Sequence, residues 1–394
     1  MPSVFSSPNP ILFGRGAAAV VGDKLREFGC SRVLVVYDKG VEAAGVAATI
    51  LGHLHAAHIQ TVCFDGVLPD PPDTTVDQAG ALGVAEGVDG IVGVGGGSSL
   101  DTAKGACLLL TNPGPIGRYY ARPDAPPPAG LQPLKPIVVI PTTSGTGSEA
   151  TPGGVITDTQ NHRKQIIICP VSLAIVDPEL TVGLPSAITA ATAFDALCHA
   201  AEALTSAAPN AFGRVLGKEA ITLISRALPL AYDDGGDIEA REQLQLAATL
   251  AAMSILGPFC HIPHELGQPL GSLFGIPHGL ACAATLAESM RFVAPGVPEQ
   301  VRLVAECMGP ALSPGATADQ VGQAAYGRIY DLRERVELPS LASFVPDKQQ
   351  LLAAVPHICQ VSPFVFSPVA VRPSDVTTIL EQAYAGRVES AVAP

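Results

Sequence analysis

What this chain lacks narrows it quickly. Its 394 residues hold no run of Lys or Arg, and 23 basic against 36 acidic residues leave a net charge of −13. A net-acidic chain without a basic cluster is poorly suited to a polyanion, so neither nucleic acid nor an anionic membrane surface is expected as a partner. The pattern G-x4-G-K-[ST] is absent, which argues against a P-loop nucleotidase. Nine cysteines are odd in number, scattered and never spaced C-x-x-C, as expected of reduced, mostly buried thiols in a cytoplasmic protein. The opening segment MPSVFSSPNPILFGRG has no basic region followed by an apolar core, so no signal peptide is expected. Mean hydropathy is high at +0.34, but it arises from many Ala and Val rather than from a membrane-length apolar run. There is no internal repeat.

What is present divides near residue 185. Before it, apolar runs read as strands: RVLVVYD (32–38), HIQTVCF (58–64), GIVGV (90–94), PIVVI (136–140), GVITD (154–158), KQIIIC (164–169) and LAIVD (173–177). Their alternation with helical stretches predicts a largely parallel sheet covered by helices on both faces. The Pro- and Gly-rich stretch from Thr111 to Pro136, including PDAPPPAG, reads as a surface loop. After Leu184-Pro185 the chain turns helical, with helices expected at 187–205, 210–230, 237–256 and 278–291 and more to the end. GPFCHIPHELG interrupts that pattern. Two domains follow, an α/β domain at 1–184 and an all-helical one at 185–394.

Three clusters could carry chemistry. Asp195 and His199 in FDALCHAAEAL are spaced i, i+4, so a helix projects both from one face. His264 and His278 follow in HIPHELGQPLGSLFGIPHG, the latter beside a turn after Pro277. A carboxylate with imidazoles is a mixed donor set suited to a divalent ion such as Fe2+ or Zn2+. Upstream, GIVGV opens into GGGSSLDTAK. There Gly95, Gly96 and Gly97 let the backbone approach a ligand, and the helix starting near Ser98 offers free N–H groups and a positive dipole end to a phosphate. Asp101 is expected in that helix's first turn. The third cluster, PTTSGTGSEAT, supplies the hydroxyls of Thr142, Thr143, Ser144, Thr146 and Thr151 for a ribose, amide or phosphate. His53, His55 and His58 have no carboxylate or thiol companion and read as a solvated helix end.

GVGGGSSLDTAK (93–104), PTTSGTGSEAT (141–151), AIVDPEL (174–180), FDALCHAAEAL (194–204) and GIPHGLACA (275–283), in this order and spacing, resemble the iron-containing, or group III, alcohol dehydrogenase family. The resemblance implies a Rossmann-like, mostly parallel dinucleotide-binding domain followed by an all-helical metal-binding domain. It implies Asp195, His199, His264 and His278 as ligands of one divalent ion, most often Fe2+, with Zn2+ the alternative. Gly95, Gly96, Gly97 and Ser98 would wrap the pyrophosphate of NAD, with Asp101 nearby. Thr142, Thr143, Ser144, Thr146 and Thr151 would line the nucleotide, and Lys164 would approach it. Asp38, ending the strand RVLVVYD, would accept from the ribose 2′-hydroxyl and repel a 2′-phosphate, favouring NAD over NADP. Asp70 in VLPDPPD stands where the family often has Asn. The implied substrate is a small alcohol, aldehyde or ketone, and the implied assembly a homodimer or higher homo-oligomer.

The chain departs from the family once within the motifs. Where members often have a second His four residues after the first late ligand, HELGQPLG places Gln268, which hydrogen-bonds but does not titrate near neutrality. His261 is the candidate substitute in a proton relay, although a lone His more often has a structural role. The wider superfamily leaves other chemistries as alternatives: a hydroxyacid dehydrogenase, a maleylacetate-type reductase, a cyclising synthase, or a cofactor-binding protein without turnover. The scarcity of Arg and Lys in the motifs weighs against a strongly anionic substrate.

Overall fold

A computed structural model describes residues 5–7, 9–121, 130–161 and 163–387. Two compact units form. One comprises Ser6–Leu184 with Gly236–Gln245, and the other Pro185–Gly235 with the chain from Leu246 onward.

The first unit is built on a six-stranded parallel sheet. Its strands are β1 (Ile11–Phe13), β2 (Arg32–Val36), β3 (Gln60–Phe64), β4 (Gly90–Gly95), β5 (Ile137–Pro141) and β8 (Leu173–Val176), in the spatial order β1-β8-β5-β4-β2-β3. Alternate residues serve opposite faces, as the pleat requires. Leu34, Val36 and Ile91 pack one way, with Val76, Ala79, Leu100 and Ala103 of α4 (Asp73–Ala85) and α5 (Gly97–Thr111). Val33, Val35, Val92 and Val94 pack the other way, with Leu25 of α1 (Val21–Glu27) and Ile50 and Leu54 of α3 (Val46–Ala56). Both faces are therefore buried, which is why these strands read as continuous apolar runs. Burying each such Val, Leu or Ile contributes about 1.5–3 kcal/mol.

Two features depart from the expected alternation. β6 (Gly153–Asp158) and β7 (Arg163–Ile168) pair antiparallel as a separate two-stranded hairpin rather than joining the parallel sheet. Only four residues lie between them, too few for the crossover a parallel pairing needs. β1 carries no recognisable sequence signal, because three residues are too short to show a period. In the Pro-rich loop, residues 122–129 lie outside the described residues, while Ile116 in a short 3-10 turn packs inward. His53 and His55 occupy the last turn of α3 and His58 follows it, as expected of a solvated helix end.

The second unit is helical throughout its described residues. Its main elements are α6 (Ser186–Thr205), α7 (Ala211–Asp233), α8 (Ile238–Ser254), α9 (Ile262–Phe274), α10 (His278–Val293), α11 (Pro298–Met308) and α12 (Ala318–Arg335), with α2 (Lys39–Ala43) the remaining short helix of the first unit. The start of α8, up to Gln245, packs with the first unit. α9 begins inside GPFCHIPHELG, so the interruption expected there is shorter than its Gly and Pro residues imply. Pro263 falls at the helix start, where its missing N–H costs nothing. α10 packs against α6, α9 and α12 and is buried nearly all round from Ala281 to Met290. No helix among the described residues is long and apolar enough to cross a membrane.

Candidate functional site

α6, α9 and α10 bring Asp195, His264 and His278 together, with His199 stacked on His264. Asp195, His199 and Glu202 lie on successive turns of α6. His264 sits in the first turn of α9, and His278 is the first residue of α10 behind Pro277. Two glycines make the approach feasible. A Cβ at Gly279 would lie 2.4 Å from the Ala191 carbonyl oxygen, and one at Gly267 would lie 2.5 Å from Cys282 Sγ. No larger residue lets α10 reach α6, or α9 reach α10, this closely.

His264 Nε2 lies 3.4 Å from Asp195 Oδ1, and His278 Nε2 lies 3.8 Å from the same oxygen. The His199 and His264 rings stack with centroids 4.4 Å apart, and the His264 and His278 rings meet edge-on at 5.3 Å. Ligand atoms of Asp195, His264, His278 and Cys282 all fall within 4.8 Å of one another, as do those of His199, Cys260 and His264. His264 belongs to both groups.

A divalent ion fits these residues. Asp195 Oδ1, His199 Nδ1 and His264 Nε2 are buried and have no hydrogen-bond partner among the described residues. A buried polar atom left unpaired costs about 1–3 kcal/mol, so Asp195 Oδ1 and His264 Nε2, 3.4 Å apart, with His199 beside His264, mark a cation site. Burial pushes the Asp195 carboxyl up, but His199, His264 and His278 outweigh it and hold the group below the usual carboxylate range. Burial drives the His199 imidazole down to about 4, against the pull of Asp195. At His264 burial also opposes charge, yet Cys260, Cys282, Glu202 and Asp195 overrule it and raise the imidazole above its ordinary value. An ion at Nε2 takes the place of that proton.

Glu202 is the functional residue that the sequence reading missed. Fully buried, its Oε2 makes a short contact with His264 Nδ1. Its Oε1 accepts from the backbone N–H of His261 at 2.7 Å and of His264 at 3.3 Å. This carboxylate fixes the proton on Nδ1 and leaves Nε2 as the donor atom facing Asp195. The signal was available: Glu202 follows Asp195 by seven residues and His199 by three, the same helical face.

His261 is fully buried before α9, with Nε2 2.8 Å from Thr205 Oγ1. Burial takes it down to about 4, so a neutral structural role suits it better than proton exchange with solvent. Gln268 lies one turn beyond His264 on α9 and is exposed.

In the first unit, β4 leads through Gly95 and Gly96 into α5, whose first residue is Gly97. Gly95 adopts φ +143°, and a Cβ there would strike Ser99 Oγ at 2.6 Å. The hydroxyl loop after β5 packs on this turn: Thr143 lies beside Gly96, Thr146 beside Gly97, and the Thr142 N–H donates to the Gly95 carbonyl at 3.0 Å. Several expected nucleotide contacts are already committed to the fold. Ser144 Oγ donates to Gln245 Oε1 at 2.6 Å. Thr146 Oγ1 accepts from the Ser148 N–H, and Thr151 Oγ1 lies 3.5 Å from the Ser148 and Gly153 carbonyls.

Asp101 is not in the first turn of α5. It falls in the second turn, buried, accepting from Ser148 Oγ at 2.6 Å and from the Val155 N–H at 2.9 Å. Because the helix starts at Gly97, position 101 rotates inward. With Lys104, whose buried Nζ donates to the Ser148, Thr151 and Gly153 carbonyls, it ties the hydroxyl loop to α5. Ser98, one residue into the helix, remains at the amide-rich end. Asp38 caps α2, its Oδ1 accepting from the Gly40 and Val41 N–H groups, while Oδ2 accepts from Ser99 Oγ at 3.0 Å. That places it at the same sheet end as the glycine turn, since β2 and β4 are parallel neighbours. Lys164 pairs with Asp70 at 2.6 Å.

Profiles of known families cover nearly the whole chain. Residues 8–178 match iron-containing alcohol dehydrogenase, and residues 189–384 match the C-terminal part of the Fe-containing alcohol dehydrogenase family. The chain belongs to the iron-containing alcohol dehydrogenase family. It is 35% identical over 340 residues to choline dehydrogenase of Bacillus subtilis, covering 86% of this chain and 84% of that one. It is 37% identical over 326 residues to 1,3-propanediol dehydrogenase of Klebsiella pneumoniae, covering 80% and 82%. A crystal structure of 1,3-propanediol oxidoreductase superposes with TM-score 0.90 at 32% identity, over 97% of this chain and 100% of that one. Sulfoacetaldehyde reductase from Bifidobacterium kashiwanohense, in complex with NAD+, superposes with TM-score 0.85 at 28% identity, over 97% and 98%. As an iron-containing alcohol dehydrogenase, this chain is an oxidoreductase of the alcohol–aldehyde class.

Proposed function

We propose that the protein interconverts a small alcohol and its aldehyde or ketone, with NAD as hydride carrier and one divalent ion held by Asp195, His199, His264 and His278. The observation that carries this reading is the pair of unpartnered buried donor atoms, Asp195 Oδ1 and His264 Nε2, facing each other at 3.4 Å from α6 and α9, with the unpartnered His199 Nδ1 on the ring stacked against His264. When bound, Fe2+, or Zn2+ in its place, supplies Lewis acidity toward the substrate oxygen. The remaining work belongs to the chain. Asp195 stays ionised at neutral pH. Glu202 orients the His264 ring and holds its Nδ1 proton. Gln268, exposed one turn from His264, orients a water or the substrate oxygen without titrating.

In the nucleotide unit, Gly95, Gly96, Gly97 and Ser98 give the pyrophosphate a backbone cradle at the start of α5. Thr142, Thr143 and Thr146 border the same turn. Asp38 receives the ribose and disfavours NADP, and Lys164 offers its charge from β7. The activity is placed in the cytoplasm, in keeping with nine free cysteines. Self-association is part of the reading: Phe212 and Val215 on α7 and Ile166 and Ile168 on β7 are exposed apolar side chains that a second copy could cover.

The deciding experiment is an alcohol and aldehyde panel followed by NADH absorbance, on enzyme reloaded anaerobically with each metal. His264→Ala is expected to lose bound metal and activity together. Full metal content in that variant, by elemental analysis, would overturn the ligand assignment.

A further inference from the structure

The helical unit holds a cleft formed by none of the residues assigned above to metal or nucleotide. α7 and α11 enclose about 410 Å3 there, within the size range of small-molecule sites. Lys218, Thr222, Ser225 and Arg226 line it from α7, on successive turns of one helical face. Leu303 and Met308 of α11 add apolar surface, and Cys307 is half-buried beside them. Lys218 and Arg226 form no ion pair among the described residues, although the chain has 36 acidic residues to offer. Glu306, the carboxylate in the lining, is already taken. Its Oε1 faces Arg302 at 3.5 Å and accepts from the Leu312 N–H at 3.1 Å. Burial pushes the Cys307 thiol up, against the pull of Thr222 and of the Lys218 charge, so that ammonium reaches into the cleft. Two uncompensated cations facing one concave space suit an anion.

The hydroxyls define the rest of the ligand. Thr222 Oγ1 donates to the Lys218 carbonyl at 3.0 Å, and Ser225 Oγ donates to the Ile221 carbonyl at 2.7 Å. Each has spent its proton inside α7 and offers the cleft only lone pairs. They accept but do not donate, so an ionised phosphate gains nothing from them, whereas a ligand O–H group does.

We propose that this cleft binds a small phosphorylated sugar or polyol, its phosphate between Lys218 and Arg226 and its hydroxyl groups on Thr222 and Ser225. The two cations stand two turns apart, about 12 Å along the axis, and their long side chains close on a phosphate from both sides. Leu303 and Met308 lie against the carbon skeleton. Arg214, one turn before Lys218, lines a neighbouring cleft instead and takes no part.

Cys307 is a built-in reporter. Its alkylation by iodoacetamide in the full-length protein, followed by peptide mass spectrometry, is local, so phosphate held at the glycine turn of α5 does not register. Ribose 5-phosphate is expected to slow alkylation of Cys307 saturably. Ribose is expected to leave it unchanged, and inorganic phosphate to protect only at higher concentration. Lys218→Gln and Arg226→Gln should each raise the half-protecting concentration about tenfold, the scale of one hydrogen bond to a charged group. Arg214→Gln, the same loss of charge from α7, should leave it in place. Protection by ribose alone, or protection that survives both substitutions together, would overturn the anion assignment. Inorganic phosphate protecting as well as ribose 5-phosphate would overturn the sugar. Isothermal titration calorimetry with ribose 5-phosphate gives a second reading that needs no alkylation. A binding heat in the parent that vanishes when both cations are replaced supports the site, and equal heats in the two proteins overturn it.

Discussion

Glu202→Gln is the most informative single substitution in this molecule, because it keeps shape and removes one property. Glu202 serves three donors: Oε1 takes the His261 and His264 N–H groups, and Oε2 takes His264 Nδ1. A glutamine has one acceptor end and one donor end. If its oxygen keeps the two backbone N–H groups, its amide faces Nδ1 and forces the imidazole proton onto Nε2, the atom facing Asp195. If it turns over, its NH2 meets two backbone donors, at about 1–3 kcal/mol for each group left unpaired. The first arrangement is the cheaper one, and it blocks the ligating nitrogen. Metal affinity should therefore fall about 10–100-fold, while the metal-free protein loses only about 1–2 kcal/mol of stability, the scale of one altered buried hydrogen bond. Glu202→Ala, which strands all three donors, should cost the metal-free protein about 3–5 kcal/mol, as breaking a buried pair does. Competition titration against a chromophoric chelator reads the affinity, and urea unfolding of metal-free protein reads the stability. Parent-like metal affinity in Glu202→Gln would refute the tautomer argument.

Other outcomes follow from the same geometry. Asp38→Gly should narrow the NAD preference and weaken the α2 cap by only a few tenths of a kcal/mol, because glycine is itself tolerated at an N-cap; equal kcat/KM for NAD and NADP in the unmodified enzyme would contradict the ribose role. Gln268→His should introduce a limb near pH 6–7 in kcat/KM, the reference range for imidazole, that the parent lacks; a parent limb there surviving His261→Ala would mean that another group moves the proton. His261 stays neutral in the fold down to about 4, against an ordinary value of 6.5. The unfolded chain therefore gains its proton first, and the stability from His261 is whole above pH 6.5 and lost as pH falls toward 4. The full span is worth about 3 kcal/mol by linkage. Urea unfolding at pH 7 and pH 5 should show a smaller difference in His261→Gln than in the parent, and an unchanged difference would remove His261 from the account.

The parallel sheet was legible because strands buried on both faces leave long apolar runs, and the helical half because Asp195 and His199 carry a helical period. The β6–β7 hairpin was misjudged for a related reason: its runs are as apolar as the parallel strands, and only the short span between them marks the difference. Asp101 shows the limit of counting from a glycine motif. One residue of error in the helix start turns a side chain from the ligand end to the interior, and there it meets Ser148, far along the sequence. His264 and His278 could be named from their motifs, but nothing local shows that they meet Asp195, because that depends on two glycines admitting neighbouring helices. Glu202 was visible in the same helical period as Asp195. It went unread because an acidic residue on a helix usually faces water.

Gly267 and Gln268 are adjacent on α9 and have opposite freedoms. The first is pressed against Cys282 with no space for one more carbon, and the second is open to solvent one turn from His264. Substitutions at 268 can thus retune proton handling while the ligand spacing stays put, whereas any change at 267 must move a helix. A substitution library at position 268 therefore reads out chemistry, and the same library at 267 reads out folding.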